Sequence, residues 1–155
     1  MWSLANGLLV LAILNVGVVY GVDVFFAVIG RSALAQSSEE AIADVMGHLH
    51  KVADARIPIF GGAGILATLA FAIVAPFGTT ASWLALVALV GLLIQLTLYL
   101  TVAKPINSKM TQAIQQGKTL IGIRNLQSRW DSVIVGRALA MTLAITCLVV
   151  AGVLK

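Results

Sequence analysis

The middle of this chain lacks charge altogether. Residues 57–103 are 47 consecutive positions without Asp, Glu, Lys, Arg or His. Soluble domains carry about a quarter of their residues as charged side chains, whereas this chain has 10%. One membrane-crossing helix needs about 20 apolar residues. The run is therefore too long for one span, predicts two, and excludes a soluble globular domain.

Several chemical signatures are absent as well. Cys147 is the single cysteine, so no disulfide can form within the chain. There is no Gly-rich phosphate loop, nucleophile elbow, HExxH or CxxC motif. The pI near 9.7 could suggest nucleic acid, but the basic residues lie at the ends of apolar segments, where they would face anionic lipid headgroups. We expect membrane lipid and a hydrophobic small molecule as partners, no nucleic acid and no metal site.

What is present is a set of four apolar segments. The central run divides at residues 76–82, where Pro and Gly interrupt a helix and hydroxyl groups can cap the next one. We predict spans at about residues 4–29, 58–75, 82–103 and 132–154. Lys104 and Pro105 should end the third span, and Asn107 or Ser108 could cap a short polar helix after it. The predicted fold is all-α, an integral membrane four-helix bundle forming one domain over residues 1–155.

One amphipathic surface helix is predicted between spans 1 and 2, at about residues 38–56. Ser37 and Glu40 have the spacing of a capping box, and Pro58 disfavours helix in the residues before it. The apolar positions gather on one face around Leu49: Ile42, Val45, Met46, Leu49, Val52 and Ala53. We expect this helix to lie at the membrane surface or to cap the bundle.

The basic residues indicate an orientation, because short cytoplasmic loops are enriched in Lys and Arg. The connection between spans 2 and 3 has no basic residue, whereas the other two connections are basic: Arg31, Lys51 and Arg56 in the first, and Lys104, Lys109, Lys118, Arg124 and Arg129 in the third. Both basic connections lie on one side of the membrane. We therefore expect them in the cytoplasm, both termini outside, and the plasma membrane as the location.

Two charged residues lie inside apolar segments. Asp23 precedes Arg31 by eight residues, about 12 Å along a helix, and Arg137 follows Asp131 by six, about 9 Å. A lone charge in hydrocarbon is costly, so we expect Asp23 and Arg137 to face inward and to interact. Such a pair could simply fix helix register, or it could form the polar floor of a substrate cavity. The sequence leaves both interpretations open.

Aromatic side chains flank the two charges. Tyr20 and Phe26 lie one turn to either side of Asp23, and Trp130 lies seven residues before Arg137, on the same helix face. A cavity lined by these residues would suit a planar hydrophobic ligand. Trp130 also has a simpler explanation, since Trp is enriched at membrane interfaces.

The two histidines do not form a metal pair on the predicted surface helix. His48 and His50 fall about 160° apart around its axis. Each has an Asp one turn away, Asp44 before His48 and Asp54 after His50. Such pairs stabilise exposed helices, and they could also orient an imidazole as a base or as an axial ligand of haem. His50 is the stronger candidate because Asp54 leads directly into span 2.

Four stretches resemble the anthrone oxygenase-like family of small four-span membrane proteins, most of them of unknown function. They are Gly-Val-Asp-Val-Phe-Phe at residues 21–26, His-Lys-Val-Ala-Asp-Ala-Arg-Ile-Pro at 50–58, Pro-Ile-Asn at 105–107, and Trp130 with Arg137. The resemblance implies a four-helix membrane bundle with Asn107, Trp130 and Arg137 at shared positions. In better-known members it implies oxygenation of an activated polycyclic phenol without an obvious cofactor.

The leading hypothesis is a small membrane oxidoreductase, or cofactor-independent oxygenase, that acts on a hydrophobic aromatic or quinone-like molecule at the cytoplasmic end of the bundle. Arg137 would stabilise an enolate or phenolate, and His50 or Asp23 would accept a proton. The substrate would be held by Tyr20, Phe26, Asn107 and Trp130. Two alternatives stay open: an accessory subunit that binds a partner helix or a second copy of the chain, and a haem-binding protein that uses one histidine.

Overall fold

Four long helices form nearly all of the computed structural model, which describes residues 3–118 and 121–154. They are α1 (Leu4–Ala35), α2 (Glu39–Val74), α3 (Thr80–Gln115) and α4 (Ile123–Val153). Each is long and apolar enough to cross a membrane, as expected of an integral membrane protein. Helix α1 packs against α2 and α4, and α3 packs against the same two helices. The short connections make neighbours antiparallel, and the predicted four-helix bundle is confirmed.

Helices α1 and α3 each contain one π turn, at Phe26–Gly30 and Tyr99–Ala103. Helix α1 therefore continues past the predicted end at residue 29. Helix α3 continues through Lys104 and Pro105, where we expected it to end. We attribute this to the π turn, which shifts the hydrogen-bond register just before a proline that lacks an N–H. The predicted cap at Asn107 is wrong, because Asn107 is buried within α3.

Helix α2 also runs without the predicted break. Pro58 lies inside it, and residues 38–56 are its first half rather than a separate surface helix. Proline is tolerated in membrane helices where neighbouring groups satisfy the freed backbone. At 1.5 Å per residue α2 is about 54 Å long, well beyond a hydrocarbon core of about 30 Å. Its N-cap is Ser38, whose Oγ accepts a hydrogen bond from the Ala41 N–H at 3.2 Å, one residue after the predicted Ser37.

The inward face of the first half of α2 is only partly the one expected. Ile42 and Met46 of the predicted apolar face are buried, together with His50, whereas Leu49, the centre of that face, is 39% exposed. Sequence periodicity assumes that apolar residues face a core and polar residues face water. In this bundle the outward face is also apolar, so the pattern does not identify the inner one.

A short turn joins α2 to α3 as predicted. Gly78 has φ +83°, a left-handed conformation that glycine adopts without strain. Thr79 then caps α3, its Oγ1 accepting from the Ser82 N–H at 3.3 Å. At the opposite end of the bundle, Arg124 Nη2 donates to the Ser37 carbonyl at 2.8 Å and Arg124 Nε lies 3.3 Å from Glu39. This contact holds the start of α4 against the connection between α1 and α2.

The interior consists of two apolar clusters with polar residues between them. The first cluster, near the α2–α3 turn, includes Leu9, Phe71, Leu92 and Leu148, and the second, near the other end, includes Leu34, Ile42, Met110 and Ile134. In the first cluster small residues allow close helix contact, as in many membrane bundles. A Cβ on Gly91 would lie 2.7 Å from the Ala140 carbonyl oxygen. The polar residues between the clusters form the candidate site.

Candidate functional site

The predicted ion pair is present at the centre of the bundle. Arg137 Nη2 on α4 donates to Asp23 Oδ1 on α1 at 2.6 Å, and both side chains are buried. Gln95 on α3 donates to the other oxygen, Asp23 Oδ2, at 3.2 Å. Both carboxylate oxygens are therefore engaged, as a charge away from water requires. Together with Gln95, the ion pair connects three of the four helices.

Arg137 also lies between two aromatic rings. Its guanidinium carbon is 5.6 Å from the ring centroid of Tyr99 and 5.9 Å from that of Trp130, within the range of cation–π attraction. Trp130 in turn packs edge-on against Phe26, with ring centroids 5.2 Å apart. The guanidinium is thus held on several sides by side chains from α1, α3 and α4.

Asp54 has a different partner from the one that its spacing suggested. Its Oδ1 accepts from Tyr99 OH at 3.1 Å and from Asn107 Nδ2 at 2.9 Å. The expectation that Asp54 orients His50 is therefore wrong, because tertiary contacts with α3 engage the carboxylate. The corresponding expectation for His48 is confirmed: His48 Nδ1 lies 3.3 Å from Asp44 Oδ1, and both side chains are exposed.

His50 is the buried member of the histidine pair. It is 2% exposed, and its ring centroid lies 5.7 Å from that of Trp130. No side chain or backbone group of residues 3–118 and 121–154 forms a hydrogen bond with His50 Nε2. The structure therefore brings His50 to the same centre as Asp23 and Arg137, and it leaves one imidazole nitrogen free there.

A cavity of about 810 Å³ joins these residues. Its wall is largely apolar and includes six of the seven predicted site residues: Asp23, Phe26, His50, Asn107, Trp130 and Arg137. Tyr20 is the exception, because it packs half-buried against the first apolar cluster and does not line the cavity. Tyr20 lies one turn from Asp23 along α1, as its spacing predicted, but it is not on the part of α1 that faces the cavity.

Three wall residues were missed as site residues by sequence reasoning: Gln95, Tyr99 and Asp54. Gln95 and Tyr99 lie inside the charge-free run, and a polar side chain at membrane depth is itself a signal, since such groups are expensive in lipid. That signal was applied only to charged residues. Asp54 was predicted only as a partner of His50, and in the structure it contacts Tyr99 and Asn107 instead.

Three irregular backbone features, the two π turns and Pro58, lie beside the cavity. Phe26 and Tyr99, which begin the two π turns, line the cavity, and so does Pro58. π turns in α-helices occur frequently at functional sites, because they redirect side chains from the regular helical spacing. Here they accompany the Phe26 contact with Trp130 and the Tyr99 contact with Arg137.

Four buried polar atoms on side chains of the cavity wall have no hydrogen-bond partner among the described residues. They are His50 Nε2, Asn107 Oδ1, Trp130 Nε1 and Arg137 Nε. Asn107 Oδ1 is an acceptor, Trp130 Nε1 and Arg137 Nε are donors, and His50 Nε2 can take either role. Unpaired buried polar groups each cost free energy. Such a cluster is suited to bind a ligand that carries oxygen atoms.

The fold and the site together define a small integral membrane four-helix bundle with a polar centre beside an apolar cavity. No family model, curated protein or solved structure matches the chain. Among the described residues there is also no group of three or more His, Cys, Asp or Glu side chains that could hold a metal ion.

Proposed function

We propose that this protein is a small membrane oxidoreductase that acts on a hydrophobic aromatic or quinone-like molecule in the cavity beside Arg137. The observation that carries the proposal is the cluster of four buried, unpartnered polar atoms at the end of a largely apolar cavity of about 810 Å³. Small-molecule sites combine apolar walls with a few polar groups that fix orientation. The resemblance to the anthrone oxygenase-like family supports the same class of substrate.

His50 is the proposed base. Its Nε2 has no hydrogen-bond partner among the described residues, so it can take a proton from a phenol or enol, and the phenolate or enolate that forms would offset the new charge beside Arg137. Asp23 is less suited to this role because both of its oxygens already accept hydrogen bonds, from Arg137 and Gln95. We assign Asp23 the positioning of Arg137.

Arg137 and Trp130 would stabilise the anion that forms. Arg137 Nε and Trp130 Nε1 are donors in a buried setting, where hydrogen bonds to a developing oxyanion are strongest. Reaction of the electron-rich anion with molecular oxygen would convert a ring CH₂ to C=O and release water. The substrate loses four electrons and O₂ accepts four, so the reaction balances without another reductant. Asn107 Oδ1, with its amide nitrogen held by Asp54, would accept a hydrogen bond from a second substrate hydroxyl.

We further propose that the site lies at the cytoplasmic end of a plasma-membrane protein whose termini are outside. The support is the charge asymmetry of the sequence, with basic residues gathered at the α1–α2 and α3–α4 end of the bundle and none in the α2–α3 turn. The four polar atoms lie nearer to the basic end, since His50 and Trp130 belong to the first halves of α2 and α4.

The experiment is turnover by purified protein in lipid nanodiscs. A hydroxylated anthrone under air should yield the corresponding quinone with matching oxygen uptake, after subtraction of its spontaneous oxidation. His50→Ala and Arg137→Gln should each lower the rate by about a hundredfold or more, the usual range for a proton-transfer group and for an oxyanion donor, whereas His48→Ala should have no effect. Equal rates for wild type, His50→Ala and empty nanodiscs would refute the proposal.

The haem alternative has one favourable observation, the free Nε2 of His50 on the cavity wall. It is distinguished by the visible spectrum of the purified protein. A Soret band that His50→Ala removes and His48→Ala retains would assign His50 as a haem ligand and would replace the base proposed above.

A further inference from the structure

The cavity opens on the side of the bundle formed by α1 and α2. Its exposed wall residues all belong to these two helices, among them Gly21, Phe25, Val52, Arg56 and Gly62. The wall residues contributed by α3 and α4 are buried or half-buried. The mouth therefore lies on a lateral face of the bundle and not at its end.

The mouth lies partly at the depth of the hydrocarbon. Arg56 is the last charged residue before the uncharged run of residues 57–103, and Arg side chains that border an apolar span reach the headgroup region. Gly62 lies six residues further along α2, about 9 Å deeper at 1.5 Å per residue. A molecule at this mouth would meet lipid acyl chains rather than water.

Two exposed glycines leave space in the mouth. At Gly21 on α1 and Gly62 on α2, no atom of the described residues outside the local backbone lies within 4 Å of the position that a Cβ would occupy. By contrast, a Cβ on Gly64 would lie 3.0 Å from Val16, where α1 and α2 pack closely. Helix packing explains Gly64 but not Gly21 or Gly62. A side chain at either of these two positions would stand in open space at the cavity wall.

The opposite end of the cavity is closed and polar. His50, Asn107, Trp130 and Arg137 are at most 6% exposed, and each has a polar atom without a partner in the described part of the chain. The cavity is therefore graded along its length, from these polar atoms to a mouth whose exposed wall residues are apolar apart from Arg56. A ligand that matches this gradient has a polar ring at one end and an apolar chain at the other.

We propose that the ligand is a tailed, membrane-dissolved ring compound that enters sideways from the bilayer. Its polar ring occupies the closed end, and its apolar tail lies in the mouth lined by Gly21 and Gly62 and continues into lipid. The inference rests on the proposed function, since it concerns the same cavity, and it narrows the ligand class to aromatic or quinone-like rings that carry an apolar tail. The two glycines become determinants of tail binding.

The test uses a matched pair of probes that differ only in the tail. Menadione is a tailless naphthoquinone, and phylloquinone is the same ring system with a phytyl chain. Trp130 reports occupancy through fluorescence quenching in the protein that also carries Trp2→Phe and Trp83→Phe, because these are the three tryptophans of the chain. Binding is measured in nanodiscs, with concentrations expressed per lipid so that partitioning of the two quinones is accounted for.

Gly62→Leu and Gly21→Leu should each weaken phylloquinone binding by about tenfold or more, since a Leu side chain would overlap the tail in the mouth and overpacking has an effect of this size. Menadione affinity should stay within about twofold. Gly136→Leu is the control, because Gly136 is exposed on α4 and lies outside the cavity wall. A Cβ at position 136 would lie 3.5 Å from Leu98, an ordinary contact distance. This variant should change neither affinity.

The outcomes separate the two proposals. If both quinones bind the wild type and the glycine variants weaken both equally or neither, the tail assignment is overturned and the proposed ring site stands. If neither quinone quenches Trp130 in the wild type, the ring site fails and the tail assignment fails with it. Because a Cβ at positions 21 and 62 meets no neighbour, both variants should fold, which their elution profile and helical circular dichroism would establish.

Discussion

The Asp23–Arg137 pair allows the sharpest prediction about the fold. Asp23→Asn and Arg137→Gln each remove one charge and leave the other buried without its partner. The 2.6 Å bond and the small side-chain exposures, 1% for Asp23 and 7% for Arg137, place the pair among buried ones, where loss of one partner costs roughly 3–5 kcal/mol. Arg137→Gln should be the more damaging, because it also removes the contacts with the Tyr99 and Trp130 rings, worth about 0.5–2 kcal/mol.

The double variant should be less destabilised than the sum of the two single variants, since it leaves no orphan charge. The assay is unfolding of the detergent-solubilised or bicelle-embedded protein, analysed as a double-mutant cycle. Contact predicts a coupling free energy well above about 0.5 kcal/mol, the scatter seen for independent sites. If the destabilisation of the double variant equals the sum of the two single destabilisations, the residues are not in contact, and the placement of Arg137 in the cavity is contradicted as well. A double variant that regains stability without regaining turnover would show that the pair serves both fold and site.

Two other predictions concern Asp54 and the orientation in the membrane. Asp54→Ala leaves Tyr99 OH and Asn107 Nδ2 without their acceptor and should destabilise the protein by roughly 1–3 kcal/mol. The control, Asp44→Ala, breaks the exposed pair with His48 and should cost less than about 1 kcal/mol. Equal losses of stability would mean that Asp54 does not link α2 to α3. The orientation is tested with the single substitutions Lys51→Cys, Lys118→Cys and Thr79→Cys in a Cys147→Ala background. In intact cells the first two should resist an impermeant thiol reagent and the third should react. Labelling at position 118 from outside would reverse the proposed orientation.

The sequence predicted the class of fold because its strongest signal is the absence of charge. Few structures other than a pair of membrane helices can accommodate a run of 47 uncharged residues. The ion pair was predictable for a related reason, since Asp23 and Arg137 stand out in apolar surroundings at matching depths. In both cases the free-energy cost of a polar group in lipid makes the inference strong.

Helix boundaries and the inner face of α2 were not predictable in the same way. Pro58 and Pro105 break helices in water, but within this bundle both are accommodated, Pro105 directly after a π turn. The apolar stripe around Leu49 was assigned to the core although lipid accepts apolar side chains equally well. The inner face follows instead from close contacts that only the fold reveals, such as Gly47 against Ile114, where a Cβ would collide. The partners of Asp54 are likewise tertiary contacts with no local sequence signal.

The central claim is that a ring compound binds between His50 and Arg137. The most direct measurement is an experimental structure of the protein prepared with phylloquinone in lipid nanodiscs, at a resolution that shows side chains. The account predicts planar density at the closed end of the cavity, with an oxygen atom within hydrogen-bond distance of at least one of His50 Nε2, Trp130 Nε1 and Arg137 Nε. A cavity filled by its own side chains, or a ligand bound away from these three atoms, would contradict it.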